Sequence, residues 1–456
     1  MPIGMFDSFI TGHWFSAEAK RLWSDEATLQ SWLDVEAALA QAQAAQGLIP
    51  AEAAATITGQ AQASRFDTRQ LAEAIAFAQH PLVPVLHRFE QLCGEPAAGY
   101  LHWGATTQNI FDTAAALQMH ATHRLLLREL DGAITAIGAL ATRHRSTPMA
   151  GRTHGQHALP MSFGYKLAGW IDELDRDRQR LQQRLAAAFP ASMGGAIGTF
   201  AAMGPRGPAV EAGVAELLGL QPAGLPLRGS YDRACDYVQA LGLLAGTAQK
   251  IAQDLVFLQR SEIGEVSEAF HHGKVGSSTM AQKRNPSSAQ LLASLARLLR
   301  LRVPGALEAM VRSDEGDAAA TNVTDVLLPE IALLGASLAG CLCRLARGLQ
   351  VDAAAMARNL ALGGGLINTE ALMMRLTPRM GRHRAHRLLY EVAQQAQSAR
   401  LPFRQALLRH PAFAEPGLVE ELLQALEPAA YLGESVTLTD ATVARVPGAR
   451  PAPPPA

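Results

Sequence analysis

The stretch YVQALGLLAGTAQKIAQDLVFL, residues 237–258, decides the fold class. Its apolar side chains recur at steps of three and four residues, which is the one-faced period of an amphipathic helix. These side chains are Leu241, Leu244, Ala248, Ile251, Leu255 and Leu258. The stretch lies within residues 227–285, which contain no proline, so no proline interrupts a long helix there.

Two further proline-free spans, residues 97–147 and 161–189, extend this pattern. In the second span one face is apolar, formed by Phe163, Leu167, Trp170, Leu174, Leu181, Leu185 and Ala188. No comparable stretch shows the sustained two-residue alternation of β-branched side chains that marks strands. We therefore predict an all-α chain whose long helices run for roughly 25–40 residues, and helices of that length indicate a bundle.

The positions of glycine and proline along the chain predict three domains and a tail. An apolar stripe from Leu29 to Ala45, stopped by Gly47 and Pro50, belongs to an N-terminal helical domain, residues 1–108. Residues 109–350 form the central long-helix bundle, and residues 351–444, which contain several prolines, form a C-terminal helical domain. The proline-rich tail, residues 445–456, is expected to be disordered.

Composition excludes several classes of protein. Lys plus Arg is 40 and Asp plus Glu is 41, so the net charge of −1 provides no field for nucleic acid or an anionic membrane. The four cysteines show neither zinc-ligand spacing nor a disulfide framework, which favours a cytoplasmic location. The N-terminus lacks a signal-peptide pattern. The richest apolar run, residues 326–343, contains Pro329 and Glu330 and is interpreted as a buried helix rather than a membrane span.

The stretch KVGSSTMAQKRNP, residues 274–286, has the composition of a binding loop. Pro286 fits the first turn of a following helix. One interpretation is a connection in which Ser277 and Ser278 cap backbone groups. The other is an anion site in which loop amides, Lys283 and Asn285 receive a carboxylate while a serine hydroxyl faces the substrate.

Three blocks of sequence carry a resemblance to a known family. GSSTMAQKRNP resembles the signature GSSxMPxKxNP of the fumarase/aspartase (argininosuccinate lyase, adenylosuccinate lyase) superfamily, with Ala281 in place of proline. HWGATTQNIFDT from His102 resembles the first conserved block, and GRTHGQHALP from Gly151 resembles the second. The N-terminal region and MGGAIGTFAAMG from Met193 are most similar to the branch that contains 3-carboxy-cis,cis-muconate cycloisomerase.

The resemblance implies a reaction and its catalytic residues. The family removes a proton beside a carboxylate and expels a group from the next carbon, usually leaving fumarate. Ser277 matches the family's base, acting as an alkoxide that the loop amides and Lys283 must stabilise. His154 matches the general acid. Substrate contacts are implied for Lys283, Asn285, Thr106, Thr107, Ser278, Met280, Gln156, His80 and His102, with no metal or cofactor.

Three of these histidine assignments have alternatives. His157 is a second candidate acid, or else a histidine satisfied by backbone just before a helix that starts near Met161. Without the resemblance, His80 and His102 would each be interpreted as structural. The muconate cycloisomerases that the chain resembles lack a histidine at the position of His154, so its presence favours elimination of a heteroatom group.

The chain also departs from the family pattern. Relatives carry HERD where this chain has DEGD, so Gly316 replaces the arginine that faces a distal anionic group, and we expect no nucleotide phosphate there. Tyr231 stands for a glutamine, and Asn109 for an aspartate. Arg233 is a candidate clamp for a second carboxylate, or it forms a salt bridge at a helix start with Asp232 or Asp236.

Together these observations predict a cofactor-independent lyase that cleaves a C–N or other carbon–heteroatom bond of a substituted succinate. The alternatives are a cycloisomerase that forms or opens a lactone and a non-catalytic structural protein of the lens-crystallin type. The resemblance implies a small dicarboxylate substrate and a homotetramer in which each active site takes its three blocks from three subunits. It also suggests that the signature loop, which contains Gly273 and Gly276, closes over the substrate.

Overall fold

α-Helices form most of the protein in the computed structural model, which describes residues 6–270, 273 and 275–450. The all-α prediction is confirmed. The first nine helices are α1 (Ala17–Leu22), α2 (Asp25–Ala45), α3 (Ala51–Gln60), α4 (Thr68–Ala78), α5 (Leu82–Cys93), α6 (Thr107–Arg143), α7 (Phe163–Ala188), α8 (Gly207–Leu218) and α9 (Asp232–Leu258). The next nine are α10 (Ser287–Arg300), α11 (Val303–Met310), α12 (Ala318–Arg347), α13 (Ala353–Leu360), α14 (Thr369–Met380), α15 (Arg382–Ser398), α16 (Phe403–Arg409), α17 (Pro416–Ala425) and α18 (Ser435–Arg445).

The three proline-free spans contain the long helices that they predict. α6 has 37 residues, α7 has 26 and α9 has 27. The apolar faces of α7 and α9 are buried, including Leu174, Leu244 and Ile251. Burial of these faces, rather than intrinsic propensity, accounts for most of the stability of such helices.

Two small antiparallel sheets were not predicted from the sequence. β1 (Pro148–Thr153) pairs with β2 (Gln156–Ser162), and the two-residue β3 (Val266–Ser267) pairs with β4 (Gln350–Val351). Strand β1 reads PMAGRT, which lacks the alternating β-branched residues by which strands are recognised in a sequence. Its pairing with β2 and the burial of Met149 and Ala150 make it a strand.

The chain divides into two compact units. The first unit comprises residues up to 130, 177–249 and 294–340, and the second comprises residues 131–176, 250–293 and those from 341 onward. The boundaries between them fall inside helices α6, α7, α9, α10 and α12. The division into domains at residues 108, 350 and 444 stays a prediction.

Helix α12 contains the apolar run around Pro329. By length and composition it could cross a membrane, with a mean hydropathy of 2.0 over its most apolar 18 residues. However, 78% of that window is buried inside the protein. The interpretation of this segment as a buried core helix therefore agrees with the structure.

The C-terminal residues of the second unit correct one expectation. Val446 and Ala449 are buried, and a Cβ added to Gly138 would lie 1.9 Å from the carbonyl oxygen of Ala449. Residues 446–450 therefore pack against α6, and the prediction that disorder begins at residue 445 is wrong for them. The rest of the predicted tail, residues 451–456, lies outside the described residues.

Candidate active site

The residues predicted for the site fall in both units. The first unit contains His80, His102, Thr106, Thr107 and Arg233. The second unit contains His154, Gln156, Ser277, Ser278, Met280, Lys283 and Asn285.

His154 lies at the tip of the hairpin formed by β1 and β2. Thr153 pairs with Gln156, so the turn has two residues, His154 and Gly155. Their φ angles are +54° and +76°, and positive φ at both central residues is what a type I′ hairpin turn requires. The turn exposes the imidazole of His154 to solvent, as a residue that delivers a proton to a substrate needs to be.

A buried ion pair holds the hairpin behind His154. Arg152 donates two hydrogen bonds to Glu265, from Nη1 to Oε2 at 3.0 Å and from Nη2 to Oε1 at 2.6 Å. The Glu265 side chain is fully buried and also accepts a hydrogen bond from Asn359 Nδ2 at 2.9 Å. This paired arrangement is geometrically specific, so it fixes the strand that leads to His154.

His157 belongs to strand β2, opposite Arg152 in the pairing register. The expectation that it marks the entry to a helix near Met161 is wrong, because α7 begins at Phe163 after the strand. Burial and the positive charge of Arg152 lower the pKa of His157, against the opposing charge of Glu265. The lowered pKa favours the neutral imidazole, so less of the protonated form is available to act as a general acid.

Ser277 in the signature loop is surrounded by backbone donors. Its Oγ accepts hydrogen bonds from the backbone N–H of Met280 at 3.0 Å and of Thr279 at 3.3 Å. Such contacts are those of a serine that caps a turn, and they also stabilise negative charge on the oxygen. The geometry thus fits both interpretations of this loop.

The signature loop is folded tightly on itself. Asn285 Nδ2 donates to the carbonyl oxygen of Gly276 at 2.8 Å. A Cβ at Gly276 would lie 2.4 Å from the carbonyl oxygen of Lys283, so only glycine allows this close approach. The side chains of Lys283 and Met280 are exposed, as is Ser278.

Glu268 closes the base of the loop. Its carboxylate accepts hydrogen bonds from the backbone N–H groups of Ser288 and Ala289, at 2.9 and 2.8 Å. These amides belong to the first turn of α10, where a negative charge is stabilised by unpaired N–H groups and by the helix dipole. The two ends of the loop are therefore held together by one side chain.

In the first unit, Thr106 and Thr107 stand at the start of α6. Asn109 Oδ1 accepts the backbone N–H of Thr106 and that of Gly195, each at 3.1 Å, and Asn109 is buried. The neutral amide that replaces the family's aspartate thus ties the threonine pair to the glycine-rich loop after Met193.

His102 forms a short contact with a buried carboxylate. Its Nδ1 lies 2.6 Å from Oε1 of Glu36, whose side chain is almost fully buried. Burial alone lowers the pKa of His102, but the hydrogen bond and the charge of Glu36 together outweigh it, so the pKa of His102 is raised. The raised pKa favours the cationic form of the imidazole, and that form is suited to contact an anion.

Two other predicted contacts have structural partners nearby. His80 Nδ1 accepts the backbone N–H of Val83 at 3.2 Å in the first turn of α5, as a cap would. Arg233 lies in the first turn of α9 and lines a cavity, whereas Asp236 pairs with Arg184 at 2.7 Å. The alternative of a salt bridge between Arg233 and Asp236 is therefore not supported.

The second unit contains a cavity of about 740 Å³ beside the hairpin. Arg152 and Gly155 line it, together with Lys166 and Lys250. Lys166 is paired with Asp254 at 3.0 Å, and Lys250 with Glu173. A dianion in this cavity would have to displace those carboxylates, so the motif residues are better candidates for carboxylate donors.

Sequence reasoning missed Glu36, Arg152, Glu265 and Glu268. Arg152 lies within the GRTHGQH block and could have been marked by its place two residues before His154. The glutamates carry no local signal, because their partners lie far away in the chain. Among the described residues, no group of three or more His, Cys, Asp or Glu side chains could hold a metal ion.

Comparison with known families covers most of the chain. A family model described as lyase matches residues 16–301, and one described as adenylosuccinate lyase C-terminus matches residues 365–442.

Similar proteins of two named activities align over nearly the full length. N-acetyl-S-(2-succino)cysteine lyase of Enterococcus italicus is 38% identical, with 94% of each chain covered. 3-Carboxy-cis,cis-muconate cycloisomerase of Pseudomonas aeruginosa is also 38% identical, again with 94% of each chain covered. Among solved structures, the 3-carboxy-cis,cis-muconate lactonizing enzyme of Pseudomonas putida has a TM-score of 0.88 at 34% identity, covering 96% of this chain and 98% of that one.

Proposed function

The chain belongs to the fumarase/aspartase superfamily of lyases, and from this premise we propose that it cleaves the carbon–sulfur bond of an S-(2-succinyl) thiol and releases fumarate. The observation that carries the proposal is His154, exposed at the hairpin tip, where a leaving group can receive a proton. The sequence predicts cleavage of a carbon–heteroatom bond, and the proposal keeps that prediction. It differs in naming sulfur, rather than nitrogen, as the heteroatom of the bond that breaks.

Two relatives support the choice of sulfur. The enzymes from Enterococcus italicus and Dickeya dadantii are both named N-acetyl-S-(2-succino)cysteine lyase and are 38% and 36% identical to this chain. Each alignment covers at least 94% of this chain. A thiol is also an easier leaving group than an amine, because its pKa is near 8.5.

Proton removal is assigned to Ser277. Its Oγ takes the proton from the carbon beside one carboxylate, and the bond electrons move onto that carboxylate. A serine hydroxyl ionises only where its anion is stabilised, and the N–H groups of Thr279 and Met280 already point at Oγ. Lys283, which belongs to the same loop, supplies a positive charge.

The intermediate carries two negative charges on one end of the substrate. Lys283, Asn285 and the hydroxyls of Thr106 and Thr107 are the donors proposed to hold it. Donors that are held in place before the reaction stabilise charge that develops only in its course. Ser278, Met280, Gln156, His80 and His102 complete the proposed contacts.

Expulsion of the thiol completes the reaction. The electron pair returns to form the double bond of fumarate while the C–S bond breaks and its electrons leave with sulfur. His154 donates a proton to that sulfur, so the products are fumarate and a neutral thiol. Water then reprotonates His154 and receives the proton held by Ser277.

The test is direct. The purified full-length protein is incubated with N-acetyl-S-(2-succino)cysteine, and fumarate is followed by its ultraviolet absorbance while a thiol reagent measures the free thiol. Equal amounts of both products are expected. N-substituted aspartates are tested in parallel, and turnover of these without turnover of the thioether would contradict the choice of sulfur.

A matched variant controls the assignment of the base. Ser277→Ala removes the oxygen, and Ser261→Ala changes an exposed hydroxyl of the same unit outside the proposed site. We expect Ser277→Ala to abolish fumarate release with an unchanged circular dichroism spectrum, and Ser261→Ala to retain it. Full activity of Ser277→Ala would exclude Ser277 as the base.

The second candidate is a cycloisomerase of 3-carboxymuconate type. It is favoured by the TM-score of 0.88 to the Pseudomonas putida lactonizing enzyme and by 38% identity to the Pseudomonas aeruginosa enzyme. Conversion of 3-carboxymuconate without fumarate release would select it. His154 argues for elimination, since the cycloisomerases that the sequence resembles have no histidine there.

The quaternary and cellular setting belongs to the proposal as well. We expect a homotetramer whose active sites combine blocks from three subunits, acting on a small dicarboxylate in the cytoplasm. A non-catalytic structural role is disfavoured by the joint presence of Ser277, Lys283, Asn285 and His154. Failure to bind any dicarboxylate in calorimetry would support that role instead.

A further inference from the structure

A second, smaller cavity lies in the first unit where the chain departs from its family. Its volume is about 100 Å³, and its polar lining includes Asp112, Arg228, Tyr231, Arg233 and Arg312. We call it the arginine cavity. Two of its walls come from the segments after Leu227 and after Met310, which hold the departures Tyr231 and Gly316.

Arg312 is a fixed part of the wall. Its Nε donates to the carbonyl oxygen of Ala309 at 3.0 Å, and its Nη1 donates to that of Arg228 at 3.1 Å. Its guanidinium also stacks 4.3 Å from the centre of the Tyr231 ring. The backbone of Arg228 and the ring of Tyr231 are thereby held in place before any ligand arrives.

Arg228 and Tyr231 each present a polar atom that lacks a partner. Arg228 Nη1 donates to the carbonyl oxygen of Ala196 at 2.7 Å, but its Nε is buried without a hydrogen-bond partner. The hydroxyl of Tyr231 is buried without one as well. Buried polar groups in native proteins are almost always satisfied, so two such donors beside one cavity indicate a missing acceptor.

The surroundings of Gly316 indicate that Arg228 takes the place of an arginine of the family pattern. Relatives carry an arginine at the position of Gly316, and that arginine faces a distal anionic group. In this chain a Cβ at residue 316 would lie 3.2 Å from Cζ of Arg228, closer than an ordinary contact. The guanidinium of Arg228 occupies the space beside residue 316, so the positive charge is supplied from a different segment.

Helix α6 connects the arginine cavity to the proposed carboxylate donors. Asp112 lines the cavity and accepts a hydrogen bond from Gln108 Nε2 at 2.7 Å. Thr107 is the first residue of α6, and five residues of α-helix span about 7.5 Å. Gln108 directly follows Thr107, so its hydrogen bond to Asp112 joins the threonine pair to the cavity wall, and we place the departing group of the substrate along this stretch of α6.

We propose that the arginine cavity binds the α-carboxylate of an amino-acid-derived thiol, with Arg228 and the Tyr231 hydroxyl as its donors. The proposal rests on the function proposed above. A carboxylate matches the planar fork of arginine. Asp112 accepts the N–H of the neighbouring amine or amide, a pairing that an α-amino acid or its N-acyl form offers and a simple carboxylic acid lacks.

The size of the cavity restricts the departing group. Sites for drug-sized ligands are typically about 300–1,000 Å³, whereas this one is about 100 Å³. A carboxylate with its α-carbon fits such a space, and a nucleotide does not. This agrees with the loss of the family's HERD pattern at residues 314–317.

The experiment compares two substrates that differ by one group. N-acetyl-S-(2-succino)cysteine and its carboxamide at the cysteine carboxyl are assayed for fumarate release with the wild-type protein and with Arg228→Met. For the wild type we expect a lower KM for the acid. In Arg228→Met the KM for the acid should rise about 10- to 100-fold, the loss of a charged hydrogen bond, while the carboxamide is unchanged.

Two further variants separate charge from position. Gly316→Ala places a methyl group against the guanidinium of Arg228 and should weaken binding of the acid with all charges kept. Arg69→Met removes one charge from α4, where the side chain is 90% exposed, and should leave both substrates unaffected. Arg228→Lys keeps the charge without the planar fork and should give an intermediate KM.

The possible outcomes distinguish this proposal from the one on which it rests. No fumarate from either substrate would overturn the proposed function. Equal KM values for acid and carboxamide in the wild type would overturn the arginine cavity alone. An Arg228→Met protein that loses both substrates equally, with a native circular dichroism spectrum, would also overturn it.

Discussion

Two of the histidines in the family motifs have a left-handed backbone. His154 has φ of +54° and His102 has φ of +56°. Left-handed conformation costs an ordinary side chain on the order of 1–2 kcal/mol, although histidine and asparagine tolerate it better than most residues. The surrounding structure imposes this conformation on both, which points to a role for the imidazole at each position.

The turn at His154 offers a clean substitution. His154→Asn keeps a residue suited to positive φ, while His154→Ala does not. We expect both variants to lower kcat for the thioether by about 100-fold or more, since a general acid contributes that much. Only the alanine variant should also lose stability, by about 1 kcal/mol. Steady-state kinetics and thermal melting measure the two effects separately.

The leaving group determines how far kcat falls when His154 is replaced. An amine needs the proton from His154 more than a thiol does, because a thiolate is a stable product near neutral pH. A larger loss of kcat with N-substituted aspartates than with thioethers is therefore expected. Unchanged kcat in His154→Asn for every substrate would remove His154 from the acid role.

The pair formed by His102 and Glu36 predicts a dependence of stability on pH. The pKa of His102 is raised in the folded protein, so its contribution is full below the unfolded value of about 6.5 and is lost as pH rises through the folded pKa. Glu36→Gln removes this contribution. The melting temperature of the variant should fall below that of the wild type most strongly near pH 6, and least near pH 9.

Thermal melts at one protein concentration across this pH range provide the measurement. His13→Gln is the control, since His13 is an exposed histidine of the same unit. A constant difference between the wild type and Glu36→Gln at all pH values would contradict the raised pKa of His102.

At the scale of elements, the helices and the hairpin differ in how well the sequence predicts them. The helices α6, α7 and α9 are visible because their apolar period repeats over many turns. The hairpin of β1 and β2 has 6- and 7-residue strands, too short for a reliable alternating pattern. The ion pair between Arg152 and Glu265, 113 residues apart, does not appear in any local pattern.

Glu265 is predicted to support the hairpin. Glu265→Gln leaves Arg152 as an uncompensated, largely buried charge and should destabilise the protein by about 3–5 kcal/mol. It should also lower kcat, because the strand leading to His154 loses its anchor. Glu262→Gln, an exposed change three residues earlier, is the matched control.

A double substitution separates the two effects of Glu265. Arg152→Met with Glu265→Gln removes the unpaired charge and should recover much of the stability. If the pair positions His154, kcat should stay low in the double variant. Full recovery of both properties would show that the ion pair has no positioning role.

At the scale of the whole molecule, the predicted site residues divide between the two units. Ser277 and His154 lie in the second unit, and Thr106 and Thr107 in the first. The resemblance implies that a complete site combines blocks from different subunits. The proposal of a homotetramer follows from that requirement and is open to a direct test.

Complementation between inactive variants tests shared sites. Ser277→Ala and His154→Asn are each expected to have little activity alone, but co-expressed chains that assemble at random should recover about a quarter of wild-type activity, because one site in four receives both intact residues. Ser277→Ala co-expressed with Lys283→Met should recover none, since both changes lie in one loop. Absence of recovery in the first pair, with assembly verified by light scattering, would contradict sharing.

The sequence by itself determined the helical class, the position of the long helices and the three motif blocks, because each rests on residues close together in the chain. Helical periodicity and the GSSTMAQKRNP signature need no knowledge of distant contacts. The motif blocks therefore predict roles for Ser277 and His154, whereas the type I′ turn that holds His154 could not be predicted from them.

Only the tertiary structure decided the partners of those residues. Glu36 meets His102 and Glu265 meets Arg152 across 66 and 113 residues of sequence. Likewise, the sequence alone predicts that Gly316 removes a positive charge, whereas the structure places the guanidinium of Arg228 beside that residue. Contacts of this kind arise from packing between distant segments, where a charge can be supplied from any segment that reaches the same space.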